Sequence, residues 1–315
     1  MVEIARVAEG SGFDYLWVPD SQLLWRDMWV TLGVMATGTS RIILGSNVTN
    51  PVTRDASVTA SAALTVVESA PDRFALGIGV GDSSVRVQGR RPARMAELRA
   101  YVHEVRTLLG GGEVAGPSKP YRMVAGSEST VPIFISATGP NMLQLAGEIA
   151  DGVIFVGGID THALTYARDN IAIGASRANR DSEQIDLAVG CFAHVGDDVE
   201  AGRLAMRPYA ALFALRHPDL LEKGVTPPGA ESDLGFYPDL GHARDWDAAV
   251  EATDWVPDGL LQEFCDRYCL IGDGEATRAA VEKLGQLGVT NLYVRGVRSY
   301  ELPWDVLFGF AEHVI

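Results

Sequence analysis

The residues best placed to do chemistry are small and polar, and they cluster just behind short apolar runs. They are Asp20-Ser21-Gln22, Ser46-Asn47-Val48-Thr49-Asn50-Pro51, Val80-Gly81-Asp82-Ser83-Ser84, Ser136-Ala137-Thr138-Gly139-Pro140, Gly157-Gly158, His194 and Gly296. Two of them, Asp20 and Asp82, are carboxyl groups able to hold or move a proton if burial raises their pKa. Thr138-Gly139 and Gly157-Gly158 each lead into a helical segment, and free backbone N–H groups at such starts suit a phosphate. Arg86, Arg90, Arg91 and Arg94 form a basic cluster directly after Asp82, suited to an anionic ligand tail or to acidic partner groups. Metal chemistry is not expected. The six histidines are scattered without an HxH or HxxxH pair, and Cys265 and Cys269 have no second ligand pair, so they read as two partly buried thiols. Neither a GxSxG elbow nor a Walker lysine occurs. Gly77-Ile78-Gly79-Val80-Gly81 falls short of a dinucleotide loop, because Asp82 stands where the pattern needs its third glycine.

Helical segments and short β-branched runs alternate to position these groups. Helices are expected at 25–37, 57–69, 92–109, 140–146, 161–179, 199–215 and 304–314, after an amphipathic start carrying Ile4, Val7 and Ala8. Strands are expected at 15–18, 41–45, 74–79, 131–135, 152–156, 185–195 and 291–295, seven in all. Segment 110–129 reads as loops with a short hairpin. Strands apolar on both faces and separated by helices imply a parallel α/β sheet. Seven strands suit an open doubly wound sheet, or a (β/α)8 barrel whose first strand lies ahead of Met1; the barrel predicts about ten or more residues upstream. Either way, ligands belong at the C-terminal strand ends. Residues 217–262 break the rhythm with Pro218, Pro227, Pro228, Pro238 and Pro257 and the aromatics Phe236, Tyr237, Trp246 and Trp255. This is an insertion, read as a lid or as surface helices packed by their tryptophans, within a single domain spanning 1–315.

Composition narrows the partners. A formal charge of −15 over 315 residues argues against a nucleic-acid binder, which needs a basic face. No apolar run is long enough for a membrane span. Three widely spaced cysteines, Cys191, Cys265 and Cys269, and no signal-peptide pattern at Met1 fit a reducing, cytoplasmic setting.

The motifs together resemble the luciferase-like monooxygenase superfamily of flavin and deazaflavin barrels. The resemblance is carried by Gly12-Phe13-Asp14-Tyr15-Leu16-Trp17-Val18-Pro19-Asp20, Ile42-Ile43-Leu44-Gly45-Ser46-Asn47-Val48-Thr49-Asn50-Pro51-Val52-Thr53-Arg54, Asp72-Arg73-Phe74-Ala75-Leu76-Gly77-Ile78-Gly79-Val80-Gly81-Asp82, Val131-Pro132-Ile133-Phe134-Ile135-Ser136-Ala137-Thr138-Gly139-Pro140 and Ala150-Asp151-Gly152-Val153-Ile154. Thr49-Asn50-Pro51-Val52-Thr53-Arg54 and Gly79-Val80-Gly81-Asp82-Ser83 look most like the methylenetetrahydromethanopterin reductase branch, which uses the deazaflavin coenzyme F420. The resemblance implies a luciferase-like (β/α)8 barrel passing a hydride between F420 and a small organic substrate. The alternatives are an FMN-dependent monooxygenase using reduced flavin and oxygen, and a barrel that binds cofactor without turnover. The resemblance also implies a non-proline cis peptide at Asn47–Val48, backing the ring. Asn50, Gly81, Ser136 and Ala137 would contact the cofactor, Thr138, Gly139, Gly157 and Gly158 would hold its phosphate tail, and Asp82 and Asp20 would serve catalysis. A homodimer is implied through helices beside the first two strands of this chain. Ser21 stands where related sugar-phosphate dehydrogenases carry a histidine, which argues against that activity.

Overall fold

The computed structural model describes residues 1–125, 130–216 and 234–315, which divide into two compact units. The first comprises Met1–Phe155 and Thr165–Ala188, the second Val156–Leu164 and Val189–Ile315.

Five strands of the first unit pair in sequence order, all parallel: β1 (Tyr15–Val18), β2 (Ile43–Ser46), β3 (Phe74–Ile78), β4 (Ile133–Ser136) and β5 (Gly152–Phe155). The register sets Tyr15 beside Ile43, Leu44 beside Phe74, Leu76 beside Ile133 and Phe134 beside Gly152. All five residues of β3 are buried, as expected of a central strand covered on both faces. One face packs Ala75, Phe134, Ile154 and Ala188 with Tyr15, Trp17, Ile43 and Val48. The helices are α1 (Val2–Gly10), α2 (Met28–Gly38), α3 (Ala56–Ser69), α4 (Ser83–Arg86), α5 (Met95–Leu109) and α6 (Pro140–Ile149). They supply Ile4, Leu32, Met35, Leu64, Leu98 and Val105 to the core.

Two of these helices start later than the apolar pattern predicts, and each start has a local cause. The α2 helix begins at Met28 rather than 25 because the Asp27 carboxylate accepts the Val30 N–H at 3.0 Å. The α5 helix begins at Met95 rather than 92, where the Glu97 carboxylate takes the Arg94 N–H at 2.6 Å. The expected hairpin is present as an antiparallel Val114–Tyr121 bridge; residues 126–129 at the end of that segment lie outside the described residues.

Helix α7 (Thr161–Arg177) and strand β6 (Asp186–Val195) follow β5. In the second unit β6 pairs in parallel with β7 (Cys269–Gly272), and β8 (Asn291–Arg295) also pairs with β6. The sequence pattern predicted seven strands; the described residues contain eight, and β7 is the addition. No turn residue announces β7. It follows helix α11 (Asp258–Tyr268) without a break, the Cys269 N–H still bonding the Cys265 carbonyl. The single helix expected over 199–215 is two, α8 (Val199–Leu204) and α9 (Arg207–Arg216), with Pro208 in the first turn of α9, where its missing N–H costs nothing. Residues 217–233 of the expected insertion lie outside the described residues. Its described part includes α10 (Trp246–Glu251), whose Trp246 is buried among Met206, Leu240, Ala243 and Phe264 and donates its indole N–H to the Ala205 carbonyl at 3.0 Å. That part is built as packed helices. Helices α12 (Gly274–Gln286) and α13 (Trp304–His313) complete the unit. All three cysteines are free and buried, and burial pushes the Cys191 thiol up to about 12. Among the described residues no helix is long and apolar enough to cross a membrane.

Candidate active site

The C-terminal ends of β1, β2 and β3 carry a buried polar network in the first unit. Asp20, two residues past β1, is 3% exposed. Its Oδ1 accepts from Arg54 Nη2 at 2.8 Å, and its Oδ2 accepts from Arg54 Nε at 2.9 Å and from the Thr49 hydroxyl at 2.8 Å. Arg54 also donates to Asp27 Oδ2 at 3.0 Å. The hydrogen bond to Asp20 outweighs burial and raises the Arg54 pKa. Burial pushes Asp27 up, but the Val30 N–H and Arg54 more than offset it, and the net shift is downward.

Next to this ion pair the backbone of β2 turns. The Asn47–Val48 peptide is cis, at the bond the resemblance indicates. Thr49 and Asn50, both 0% exposed, are tied in place. The Thr49 N–H donates to the Gly77 carbonyl at 3.0 Å and the Thr49 carbonyl accepts the Gly79 N–H at 2.8 Å, which continues the ladder to β3. Asn50 Oδ1 accepts the Val52 and Thr53 N–H groups, both at 3.0 Å, and its Nδ2 donates to the Ser84 hydroxyl at 3.2 Å. Bare backbone at β3 lets Val48 close in. A Cβ at Gly77 would lie 2.1 Å from the Ser46 carbonyl oxygen, and one at Gly79 would lie 2.7 Å from Val48 Cγ2. Gly81 has φ +84°, and a Cβ there would meet Val85 at 2.5 Å.

Asp82 has the opposite surroundings. Its side chain is 76% exposed and, among the described residues, pairs with Arg86, one turn along α4. The burial expected of a proton-holding acid is not found. The same loop reaches β1's end through Ser21 and Ser83, whose hydroxyls are 3.1 Å apart, and through Gln22, which donates to the Ser84 carbonyl at 3.3 Å. The arginine cluster is mostly used internally. Arg90 donates to the Val52 carbonyl at 2.7 Å and Arg91 pairs with Glu97 at 2.8 Å.

The two glycine turns belong to different units. Thr138 and Gly139 are exposed in the first unit, where Gly139 caps α6 without a side-chain bond and a Cβ on it would meet open space. Ser136 and Ala137 precede them, the Ala137 N–H bonding the Ile154 carbonyl at 3.1 Å. Gly157 and Gly158 belong to the second unit. There the start of α7 already has an acid, since Asp160 accepts the Ala163 N–H at 2.9 Å and lies 3.8 Å from Arg267. A carboxylate at that start competes with a phosphate for the same dipole.

Thr49 belongs to the strand-end set read from residue types, but Arg54 was not singled out in that way. Arg54 follows its strand by eight residues, and only the fold brings it back to Asp20. Groups of His, Cys, Asp or Glu able to hold a metal ion are absent among the described residues. Gly77 and Gly79 give the Val48 side chain the space it fills beside β3. Trp25 Nε1 and Thr53 Oγ1, in the loops after β1 and β2, are buried with no partner among the described residues, which fits a ligand with polar edges.

Parallel strands, alternating helices and a polar network over the strand ends define an α/β protein with its ligand chemistry at the strand C-termini. The profile of the luciferase-like monooxygenase family matches residues 1–291, and the chain belongs to that family. A 5,10-methylenetetrahydromethanopterin reductase of Methanolobus tindarius is 30% identical over 298 residues, covering 91% of this chain and 87% of that protein. An F420-dependent glucose-6-phosphate dehydrogenase of Nakamurella multipartita is 31% identical over 237 residues, 67% of this chain and 68% of that protein. Among solved structures, the coenzyme F420 dependent tetrahydromethanopterin reductase from Methanopyrus kandleri aligns with a TM-score of 0.75 at 24% identity, covering 99% of this chain and 93% of that one. The fold is that of the luciferase-like barrels.

Proposed function

We propose that this chain is an F420-dependent oxidoreductase of the methylenetetrahydromethanopterin reductase type, acting on a small organic substrate. The observation that carries the proposal is the wall formed by Val48 against Gly77 and Gly79, in a family whose matched relatives include F420-dependent enzymes. When bound, the deazaflavin exchanges a hydride, two electrons with one proton, with an electrophilic carbon of the substrate. The protein binds, orients and keeps the site dry. Asn47 and Val48 would back the ring, Asn50, Gly81, Ser136 and Ala137 would contact it, and Thr138 and Gly139 would hold the tail. Gly157 and Gly158 are proposed as tail contacts on their sequence pattern alone. Asp82 is the carboxylate a substrate can reach. Asp20 has no oxygen open to one.

Titration with F420 and with FMN, each oxidised and reduced, tests the reading. Saturable F420 binding with hydride transfer is the expected result. Tight FMN binding with no F420 binding, and oxygen uptake with reduced flavin, overturns it in favour of the monooxygenase chemistry.

A homodimer is proposed as well. Leu23, Val30, Val34 and Val58, on and beside α2 and α3, are 45–67% exposed, an apolar display that a second copy would cover. Sedimentation should give twice the 33.8 kDa chain mass. A cytoplasmic location is proposed from the three free, buried cysteines.

A further inference from the structure

We propose that Asp20 and Arg54 form a positioning clamp that fixes the Val48–Asn50 segment beneath the coenzyme, and that Asp20 takes no part in proton transfer. This rests on the coenzyme reading above. Arg54 occupies both oxygens of Asp20, and Thr49 takes a further lone pair on Oδ2, with the Asp20 side chain 2% exposed. Three of its acceptor positions are thereby taken and the carboxylate is closed off from solvent.

The clamp reaches the ring-facing segment by two short routes. Thr49 connects Asp20 to the residue after Val48, and the Thr49 backbone is bonded in both directions to β3. Arg54 closes the turn from the other side, its own N–H donating to the Asn50 carbonyl at 3.3 Å. The same guanidinium reaches Asp27, the residue that caps α2. One planar fork thereby joins the end of β1, the start of α2 and the segment after β2. Lysine keeps the charge but cannot make the bidentate contact, so Arg54→Lys loosens the clamp while leaving Asp20 in place.

Three variants separate positioning from proton transfer: Arg54→Lys, Asp20→Asn and Thr49→Val. Each is measured for F420 affinity by fluorescence titration, for single-turnover hydride transfer across pH, and, without coenzyme, for hydrogen–deuterium exchange over 47–54. The expected result is faster exchange over that segment in all three. Arg54→Lys and Asp20→Asn should weaken F420 binding and slow hydride transfer by up to about 100-fold, the order a displacement of about 1 Å carries. The pH–rate profile should keep its midpoints. Thr49→Val should show a smaller effect of the same kind, and it decides the matter should Asp20→Asn not fold. The proposal is overturned if Asp20→Asn abolishes turnover and removes a limb of the pH profile while Arg54→Lys leaves affinity, rate and exchange unchanged. If the native protein binds no F420, the coenzyme reading fails on its own. Exchange then still tests the clamp, and unchanged protection in all three variants overturns it.

Discussion

Asp20 and Asp82 stand past the C-terminal ends of β1 and β3, and from residue type and position they look like equivalent acids. Their surroundings are opposite. Asp20 is buried and accepts three side-chain hydrogen bonds from Arg54 and Thr49, two residues brought back from beyond β2. Asp82 is exposed and, among the described residues, pairs within its own turn. A carboxylate with long-range donors is held by the fold and helps hold it. One whose partner is a local residue stays available to a ligand. A strand-end position therefore marks where chemistry can occur, while the partners decide which carboxylate is free to do it.

The largest expected effect is on the stability side of this contrast. Asp20→Ala leaves Arg54 without its bidentate partner and Thr49 without an acceptor, and should destabilise the fold by about 3–5 kcal/mol in denaturant unfolding. Next comes Gly81→Ala, in the loop that presents Asp82. With φ +84° and Val85 at 2.5 Å from a new Cβ, it should cost about 1–3 kcal/mol and disturb the Asp82 turn. Glu9 sharpens the comparison because it combines features of both acids. Burial pushes its pKa up, but the Ile42, Arg41 and Ser40 N–H groups prevail and bring it to about 2 from the ordinary 4.5. A depressed carboxylate contributes stability above its unfolded pKa and loses it as pH falls through the folded value. Glu9→Gln should therefore be less stable than the native protein at neutral pH, and the gap should close between pH 4.5 and about 2. The smallest effect belongs to Asp82→Ala, whose stability should stay within about 0.5 kcal/mol of native. Its consequence should appear in turnover, as a fall in kcat/KM for substrate with F420 affinity retained. An Asp82→Ala protein as unstable as Asp20→Ala would break the contrast.

Much of the architecture is legible in the chain. Apolar β-branched runs locate β1 to β6 and β8 within two residues. Polar competition at the ends is less legible. Asp27 and Glu97 move helix starts inward by capturing N–H groups, and β7 is invisible because it continues from a helix without a turn. The site was legible as a set of strand-end residues and as the Asn47–Val48 position. The Arg54 partnership was not, because nothing in the spacing of 20, 49 and 54 says that they meet.

Residue order alone determined the alternation of strand and helix, the glycines at 77, 79 and 81, and hence the ends where a ligand can approach a bare backbone. Those follow from local sterics and apolar periodicity, which act over a few residues. Tertiary structure decided which acid is closed and which is open, because the pairing of Asp20 with Arg54 depends on β1 and β2 lying side by side in register. Hydrogen bonds of about 3 Å are set by where the sheet brings two loops together, and a sequence contains no distance between them.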